Sequence, residues 1–318
     1  MFVRARAATA LAAAIFVLGA CSAAATPSPV ATPTAAASQT APSTAPSATP
    51  TAVPSPTSVA TVPAAQLLFA GKLVICSDIP YPPQEFFDDA GNPIGSDIEI
   101  GQGIAQRLGL TAEIENAVFD TIIAAVTGGK CDIVISAQNI NPDRLKQVDM
   151  IPFFQAGQSF VVAKGNPSGI QTTDDLCGKK VAAETSTTEV DYLNGTGDYK
   201  GQGLSKACTD KGKAAINTKE FPKDSDALLA LQGTLVDAYF ADSPVAGYYT
   251  VQHADQFQLA PITPLQPIME GISVPKDKTG LHDAVVVALK SMVDDGSYLS
   301  ILKKYGVETG AIQSSDVK

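Results

Sequence analysis

The chain has 318 residues, 17% of them charged, and carries 22 Lys and Arg against 32 Asp and Glu, a net charge of −10. That acidity argues against a nucleic-acid partner. The length is enough for two ordinary domains once N-terminal processing segments are set aside.

Arg4 and Arg6 form a short basic start, and Ala7–Ala20 is mostly apolar. Such a run is too short to span a bilayer comfortably and has the proportions of a signal peptide, expected over residues 1–20. Leu18-Gly19-Ala20-Cys21 resembles a lipobox, which places a lipid anchor on Cys21 and the protein on the outer face of a cell membrane. Removing the signal removes two arginines and takes the charge from −10 to about −12. Residues 22–64 are almost only Ala, Thr, Pro and Ser, with no charged residue. Such a segment cannot bury enough apolar surface to offset its ordering entropy, so a disordered tether is expected over 21–64. It spans roughly 35–40 Å on average. No later apolar run is long enough for a membrane helix.

From Lys72 onward strand and helix patterns alternate. Lys72–Ser77 (KLVICS) reads as a buried strand. Ser96–Gly109 reads as a helix, with Ser96 and Glu99 in the spacing of a capping box and Gly109 as the stop. A short strand follows at Ala112–Ala117, then a helix from Phe119 capped by Asp120 and ended by Gly128 and Gly129, then the strand Cys131–Ser136. Asn141 caps a short helix that opens at Pro142. The pattern repeats after Gly157. Strands are expected at Gln158–Ala163 and Lys180–Glu184, with Ser186 and Glu189 in a second capping-box spacing. Residues 195–215 are polar and glycine-rich and read as loop. A helix at Ser225–Gly233, a strand at Val236–Ala241 and a helix opened by Pro244 come next. Gly271–Val274 is a strand; Thr279–Gly296 and Tyr298–Gly306 are amphipathic helices. Alternation of this kind argues for parallel sheets with helices on both faces.

Four cysteines follow Cys21. Cys76 ends one apolar run and Cys131 begins another. Side by side and parallel, those strands would hold the two about 13 Å apart, too far for a disulfide. Cys177 and Cys208 both fall in polar, loop-like segments and are expected to pair, since export permits disulfides. No cysteine pair has zinc spacing and His253 and His282 are isolated, so no metal site is expected.

In folds with parallel strands, ligands collect beyond the carboxyl ends of the strands. Asp78 follows the first strand, Gln138 and Asn139 the third, Glu184 and Thr187–Thr188 another, and Asp242 a fourth. Arg144 is the strong cation in this set. It stands in the first turn of a helix, where a cation faces the positive dipole end and needs an anion before it. A guanidinium grips a carboxylate with two parallel hydrogen bonds, and the helix start at Thr187–Thr188 adds backbone N–H groups. Asp242 is suited to an ammonium group. Together these form the minimal apparatus for an α-amino acid, with Tyr81 as an aromatic face and Asp78 and Glu184 left for a polar or cationic side chain. Taken singly, each has a plainer reading: Arg144 as a surface partner of Asp143 or Asp149, Asp242 as a helix cap, Glu184 as a solvated strand end, Tyr81 as a turn residue, Ser96 as a cap.

The stretches LVICSDIPYPPQEF, GNPIGSDIEIGQGIAQRLG, FDTIIAAVTGGKCDIVIS, NINPDRLKQVDM and DAYFADSP, with DDGSYLSILKKYG near the end, occur in the order and spacing of a known family. Over residues 70–308 the chain resembles the family-3 extracellular solute-binding proteins of polar amino-acid ABC transporters. The resemblance implies a type II periplasmic-binding-protein fold: two α/β lobes, 65–155 plus 268–318 and 156–267, joined by crossover strands near 154–158 and 266–270. It implies an amino-acid ligand, basic or uncharged polar, an ABC permease partner, a monomer, and no cofactor or catalysis. Carried over by position, Arg144 clamps the α-carboxylate with help from the helix-start loop at Thr187, Asp242 takes the α-ammonium, Tyr81 is an aromatic wall and Asp78 lies near the side chain. Ser96 stands where the family usually has a second stacking aromatic, and Ala137, Gln138 and Asn139 replace a stretch usually bearing Ser or Thr. A wider, wetter pocket is expected. The rival readings are an exported prephenate or arogenate (cyclohexadienyl) dehydratase of the same fold, with Glu184 as general acid, and a ligand-sensing module.

Overall fold

The computed structural model describes residues 58–265 and 267–318. The expected signal peptide, the lipidation at Cys21 and the tether as far as residue 57 lie outside the described residues, as does Gln266 in the expected second crossing.

The first lobe opens with β1 (Lys72–Ser77), the short pair β2 (Phe86–Phe87) and β3 (Pro93–Ile94), α1 (Ser96–Arg107) and β4 (Thr111–Asn116). It continues with α2 (Ile122–Thr127), β5 (Ile133–Val134), α3 (Pro142–Leu145) and β6 (Val148–Ala156). The second lobe runs through β7 (Gln158–Ala163), β8 (Lys180–Glu184), α4 (Thr188–Asn194), α5 (Leu204–Asp210), β9 (Asn217–Phe221), α6 (Asp224–Gln232), β10 (Ala238–Asp242), α7 (Ser243–Gln252) and β11 (Phe257–Leu259). The chain then returns to the first lobe as β12 (Ile268–Pro275), α8 (Thr279–Asp294) and α9 (Ser297–Tyr305). The two five-stranded sheets have the orders β4-β1-β5-β12-β6 and β11-β7-β10-β8-β9.

Continuous apolar runs form the central strands because both faces are covered. In β1, Leu73 and Ile75 pack with Ile100 and Ile104 of α1 and Leu281, Val285 and Leu289 of α8, while Val74 and Cys76 pack on the other face with Ile122 and Val126 of α2. The second lobe repeats this: Phe160, Val181 and Phe240 share one core, and Val161, Ala182 and Tyr239 the other. Residues before β1 belong to the first lobe: Val59 N–H donates to Arg107 O at 2.9 Å, and Ala60 and Val62 pack on its core.

The sheets are mixed, where parallel ones were expected. β1 runs parallel to β4 and β5, but β12 is antiparallel to β5 and β6, and β7 is antiparallel to β10 and β11. The reason is connectivity: β6, β7 and β12 carry the chain between the lobes rather than closing a strand–helix–strand unit. Gly157 links β6 to β7, and the two crossings touch there, with Leu265 N–H donating to Gln158 O at 2.9 Å. A Cβ on Gly157 would lie 2.8 Å from Leu265 O.

Other local expectations are corrected. Cys76 and Cys131 are joined, with Cα atoms 5.8 Å apart. Cys131 precedes β5 rather than beginning it, and it packs with Val74 and Cys76 on one face of the sheet. The Cys177–Cys208 bridge is present, Cα to Cα 5.5 Å. Residues 195–215 hold a 3-10 turn at Gly197–Tyr199 and α5, whose apolar signal is only Leu204 and Cys208, one turn apart and both buried. Neither capping box forms. Gly95 is the cap of α1 at φ 130°, where a Cβ would lie 2.1 Å from Gln84 O. Ser186 sits in the left-handed region at φ 65°, so the cap of α4 is Thr187. Asp120 makes no cap bond and accepts from Ser186 Oγ across the lobes. Asn141 does cap α3, its Oδ1 accepting from Arg144 N–H at 2.8 Å. Among the described residues no helix is long and apolar enough to cross a membrane.

Candidate functional site

Because β1, β4 and β5 are parallel, Asp78, Asn116 and Ser136 emerge at one edge of the first sheet. β8, β9 and β10 are likewise parallel and deliver Glu184, Phe221 and Asp242 to one edge of the second. The two edges meet. Tyr81 Oη donates to Asp242 Oδ2 at 3.0 Å, Asn139 Nδ2 to Thr188 Oγ1 at 2.7 Å, and Arg144 Nη2 to Ser186 O at 3.2 Å. Between them lies a small cavity of about 20 Å³.

Arg144 forms one end. It is 7% exposed. Its Nη1 donates to Asn139 O at 2.8 Å, and its guanidinium carbon lies 5.1 Å from the centre of the Phe119 ring. The protein thus occupies two of the five guanidinium N–H donors by these bonds, and the fork retains donors for a carboxylate. Burial pulls its pKa down, while Glu189, Asp242, Asp191 and Asp198 pull it back up. The surface reading fails for a definite reason: Asp143 pairs with Lys146 and Asp149 with Lys276.

Asp242 forms the facing acid, at the end of β10 and before α7. Burial, and then the neighbouring Glu189, raise its carboxyl well above the usual carboxylate range, against hydrogen bonds from Tyr81 and Asn139 and the charge of Arg144. Its Oδ1 is buried with no partner among the protein's atoms. The same holds for Asn139 Oδ1, Glu184 Oε1 and Glu189 Oε1. Orphaned buried acceptors are costly unless a donor meets them. Four of them around one cavity describe a site for a ligand rich in N–H groups.

Asp78 and Glu184 also line the cavity. Asp78 Oδ2 accepts from Phe119 N–H at 2.6 Å, and Oδ1 is ion-paired with Lys223 of the second lobe. Burial, then the charges of Asp78 and Asp224, push Glu184 up to about 10. Burial likewise lifts Asp224, behind it, to about 8. Glu85 also reaches the cavity, accepting from Ser136 Oγ at 2.8 Å, and burial with nearby Asp97 raises it well above its usual range.

Of the residues singled out in the sequence, Asp78, Tyr81, Ala137, Asn139, Arg144, Glu184, Thr187, Thr188 and Asp242 all line this cavity. Ser96 does not; it is buried at the start of α1, its Oγ donating to Asp97 at 3.4 Å. Phe119, whose ring lies against the Arg144 guanidinium, is an aromatic lining residue of the cavity that the sequence reading leaves out. Glu189 and Lys223 were also not singled out as site residues. Glu189 shares the spacing of a capping box and reads as one. Phe119 reads as the apolar start of a helix. Among the described residues no group of three or more His, Cys, Asp or Glu could hold a metal ion.

Two α/β lobes closing on a cavity with a buried guanidinium at one end and buried acids elsewhere define a solute-binding protein of the type II periplasmic fold. The chain belongs to the bacterial extracellular solute-binding proteins, family 3, whose model matches residues 73–308. It is 27% identical over 235 residues to the arginine-binding extracellular protein ArtP of Bacillus subtilis, covering 74% of this chain and 86% of that one. Among solved structures it is similar to an ancestral arginine-binding protein bound to arginine, at 34% identity and a TM-score of 0.65, covering 74% of this chain and 98% of that one. It is also similar to the ancestral amino acid-binding protein AncCDT-1, a precursor of cyclohexadienyl dehydratase, at 29% identity and a TM-score of 0.64, covering 74% and 95%.

Proposed function

We propose that the protein captures a cationic amino acid, arginine first among them, outside the cell membrane and delivers it to an ABC transporter permease. The observation that carries this reading is the set of buried, unpartnered carboxylate oxygens of Asp242, Glu189 and Glu184 around one cavity whose lining holds a single strong cation, Arg144. An α-carboxylate on Arg144, an α-ammonium between Asp242 and Glu189, and a side-chain cation toward Asp78 and Glu184 satisfy that charge pattern. An acidic side chain would meet like charge in a low-dielectric cavity. The arginine-binding relatives support the same choice. Lobe closure over the ligand, with no bond made or broken, is the mechanism. Anchoring through Cys21 and a monomeric receptor complete the reading.

Calorimetry on the purified protein, stripped of co-purifying ligand, tests it. Arginine is expected to bind with lysine and ornithine weaker, and aspartate and glutamate silent. Tight binding of an acidic amino acid, or no response to any amino acid by folded protein, would overturn it. A second reading is supported by Glu184, a cavity acid whose carboxyl burial pushes up to about 10, and by the similarity to AncCDT-1: an exported cyclohexadienyl dehydratase. Consumption of prephenate would establish that reading in place of transport.

A further inference from the structure

Lys223 immediately precedes α6 in the second lobe, yet its ammonium is spent on the first. It is ion-paired with Asp78 Oδ1, lies 3.3 Å from Ala117 O and 3.5 Å from Ile79 O, and its side chain is 26% exposed, so it enters from the rim. Three acceptors of one lobe thus converge on a cation: a buried carboxylate and two backbone carbonyls. Asp78 also lines the ligand cavity, beside Glu184, whereas Lys223 does not. The carboxylate therefore borders the cavity and also holds Lys223, which does not border it. The sequence places no other Lys or Arg in the FPKDSDALL segment, so this charge has a single source.

We propose that Lys223 is a built-in rival cation: it completes the cation subsite around Asp78 from the opposite lobe, and a ligand's side-chain cation must compete with it there. The inference rests on the amino-acid reading above. Closure over a neutral side chain keeps the Asp78–Lys223 pair, which neutralises a buried carboxylate that such a ligand leaves bare. Closure over a cationic side chain makes the pair redundant, and the two cations repel across Asp78. Lys223 thereby narrows the preference for charged over neutral ligands, and it is a specificity-determining residue rather than a ligand contact.

Arginine and citrulline test this, since they share shape and differ in side-chain charge. Calorimetry is run with both on the wild type, Lys223→Met and Lys223→Arg, with thermal melts to show that each variant folds. Lys223→Met is expected to raise the arginine-to-citrulline affinity ratio at least tenfold, with arginine tighter and citrulline weaker. Lys223→Arg, which restores the cation, is expected to return the ratio to within threefold of the wild type. An unchanged ratio in Lys223→Met, or both affinities moving together, would overturn the proposal. Failure of the amino-acid reading shows separately, as a wild type that binds neither compound. In that event, arginine binding gained by Lys223→Met still supports the rival-cation role, and no binding by any variant overturns it as well.

Discussion

Tyr81 and Asp242 hold each other twice across the lobes: the phenol donates to Asp242 Oδ2 at 3.0 Å, and the Asp242 N–H donates back to the phenol oxygen at 3.1 Å. The ring oxygen thus orients the acid while leaving Asp242 Oδ1 toward the cavity. Tyr81→Phe keeps the aromatic wall and removes both bonds. A hydrogen bond to a buried carboxylate contributes about 1.5–3 kcal/mol, so ligand affinity is expected to fall roughly tenfold to a hundredfold in calorimetry, and the melting temperature is expected to drop in thermal denaturation.

Arg144 offers a cleaner separation. Arg144→Lys retains the charge but loses the planar fork and the contact with Phe119. Binding of free amino acids is expected to weaken by about a hundredfold, on the scale of a truncated bidentate ion pair. Agmatine, which lacks the α-carboxylate, is expected to bind poorly to the wild type and to be affected little by the variant. Equal loss for arginine and agmatine would place Arg144 outside the carboxylate clamp.

The acids give the site a pH dependence of defined sign. Glu184 and Asp224 hold their protons in the folded protein up to about 10 and about 8. In the unfolded chain they ionise near 4. Above that pH the unfolded state has lost protons that the folded state keeps, so stability falls as pH rises from about 5 toward 8. A cationic ligand reverses the balance by favouring ionised acids, which releases protons on binding. Arginine affinity is therefore expected to rise with pH, by up to about tenfold per unit for each proton released, and the apparent binding enthalpy is expected to differ between phosphate and Tris buffers. An affinity flat between pH 5.5 and 8 in both buffers would contradict this.

The two disulfides should separate under reduction. Cys76 and Cys131 are 2% and 1% exposed beneath α2, whereas Cys177 is only partly buried. Mild reductant is expected to open the Cys177–Cys208 bridge first, as read by thiol trapping and mass spectrometry. The bridges span 55 and 31 residues, so each contributes about 4 kcal/mol by loop entropy. Replacing both cysteines of either pair with alanine should lower the melting temperature by several degrees.

Much of the site was legible because strand ends are legible. Apolar runs such as Leu73–Cys76 and Val181–Ala183 announce buried strands, and the polar residue after each one falls at a shared edge when the strands run parallel. Asn141 and Pro142 set the start of α3, which fixes Arg144 in its first turn. What escaped depended on three-dimensional closure. Lys223 meets Asp78 only when the lobes meet, and nothing in the local pattern signals a partner 145 residues away. Glu189 was hidden by a spacing that a capping box shares, and only the left-handed turn at Ser186 moves the cap to Thr187 and turns the glutamate inward. The Cys76–Cys131 pairing is not legible in the sequence because β5 is only Ile133–Val134 and Cys131 lies before it, outside the strand that its apolar run suggests.

Thr188 Oγ1 accepts from Asn139 Nδ2 at 2.7 Å and from Gln158 Nε2 at 2.9 Å, which fills both of its lone pairs. Its single hydrogen has one remaining acceptor, Glu189 Oε2 at 3.3 Å. The relay therefore has a polarity: amide to hydroxyl to carboxyl, never the reverse. With Oε2 committed as an acceptor, any proton that Glu189 carries must ride on Oε1. One side chain then speaks with two voices, an O–H donor when protonated and an anionic acceptor when not. Which of the two a ligand meets is decided by its own charge.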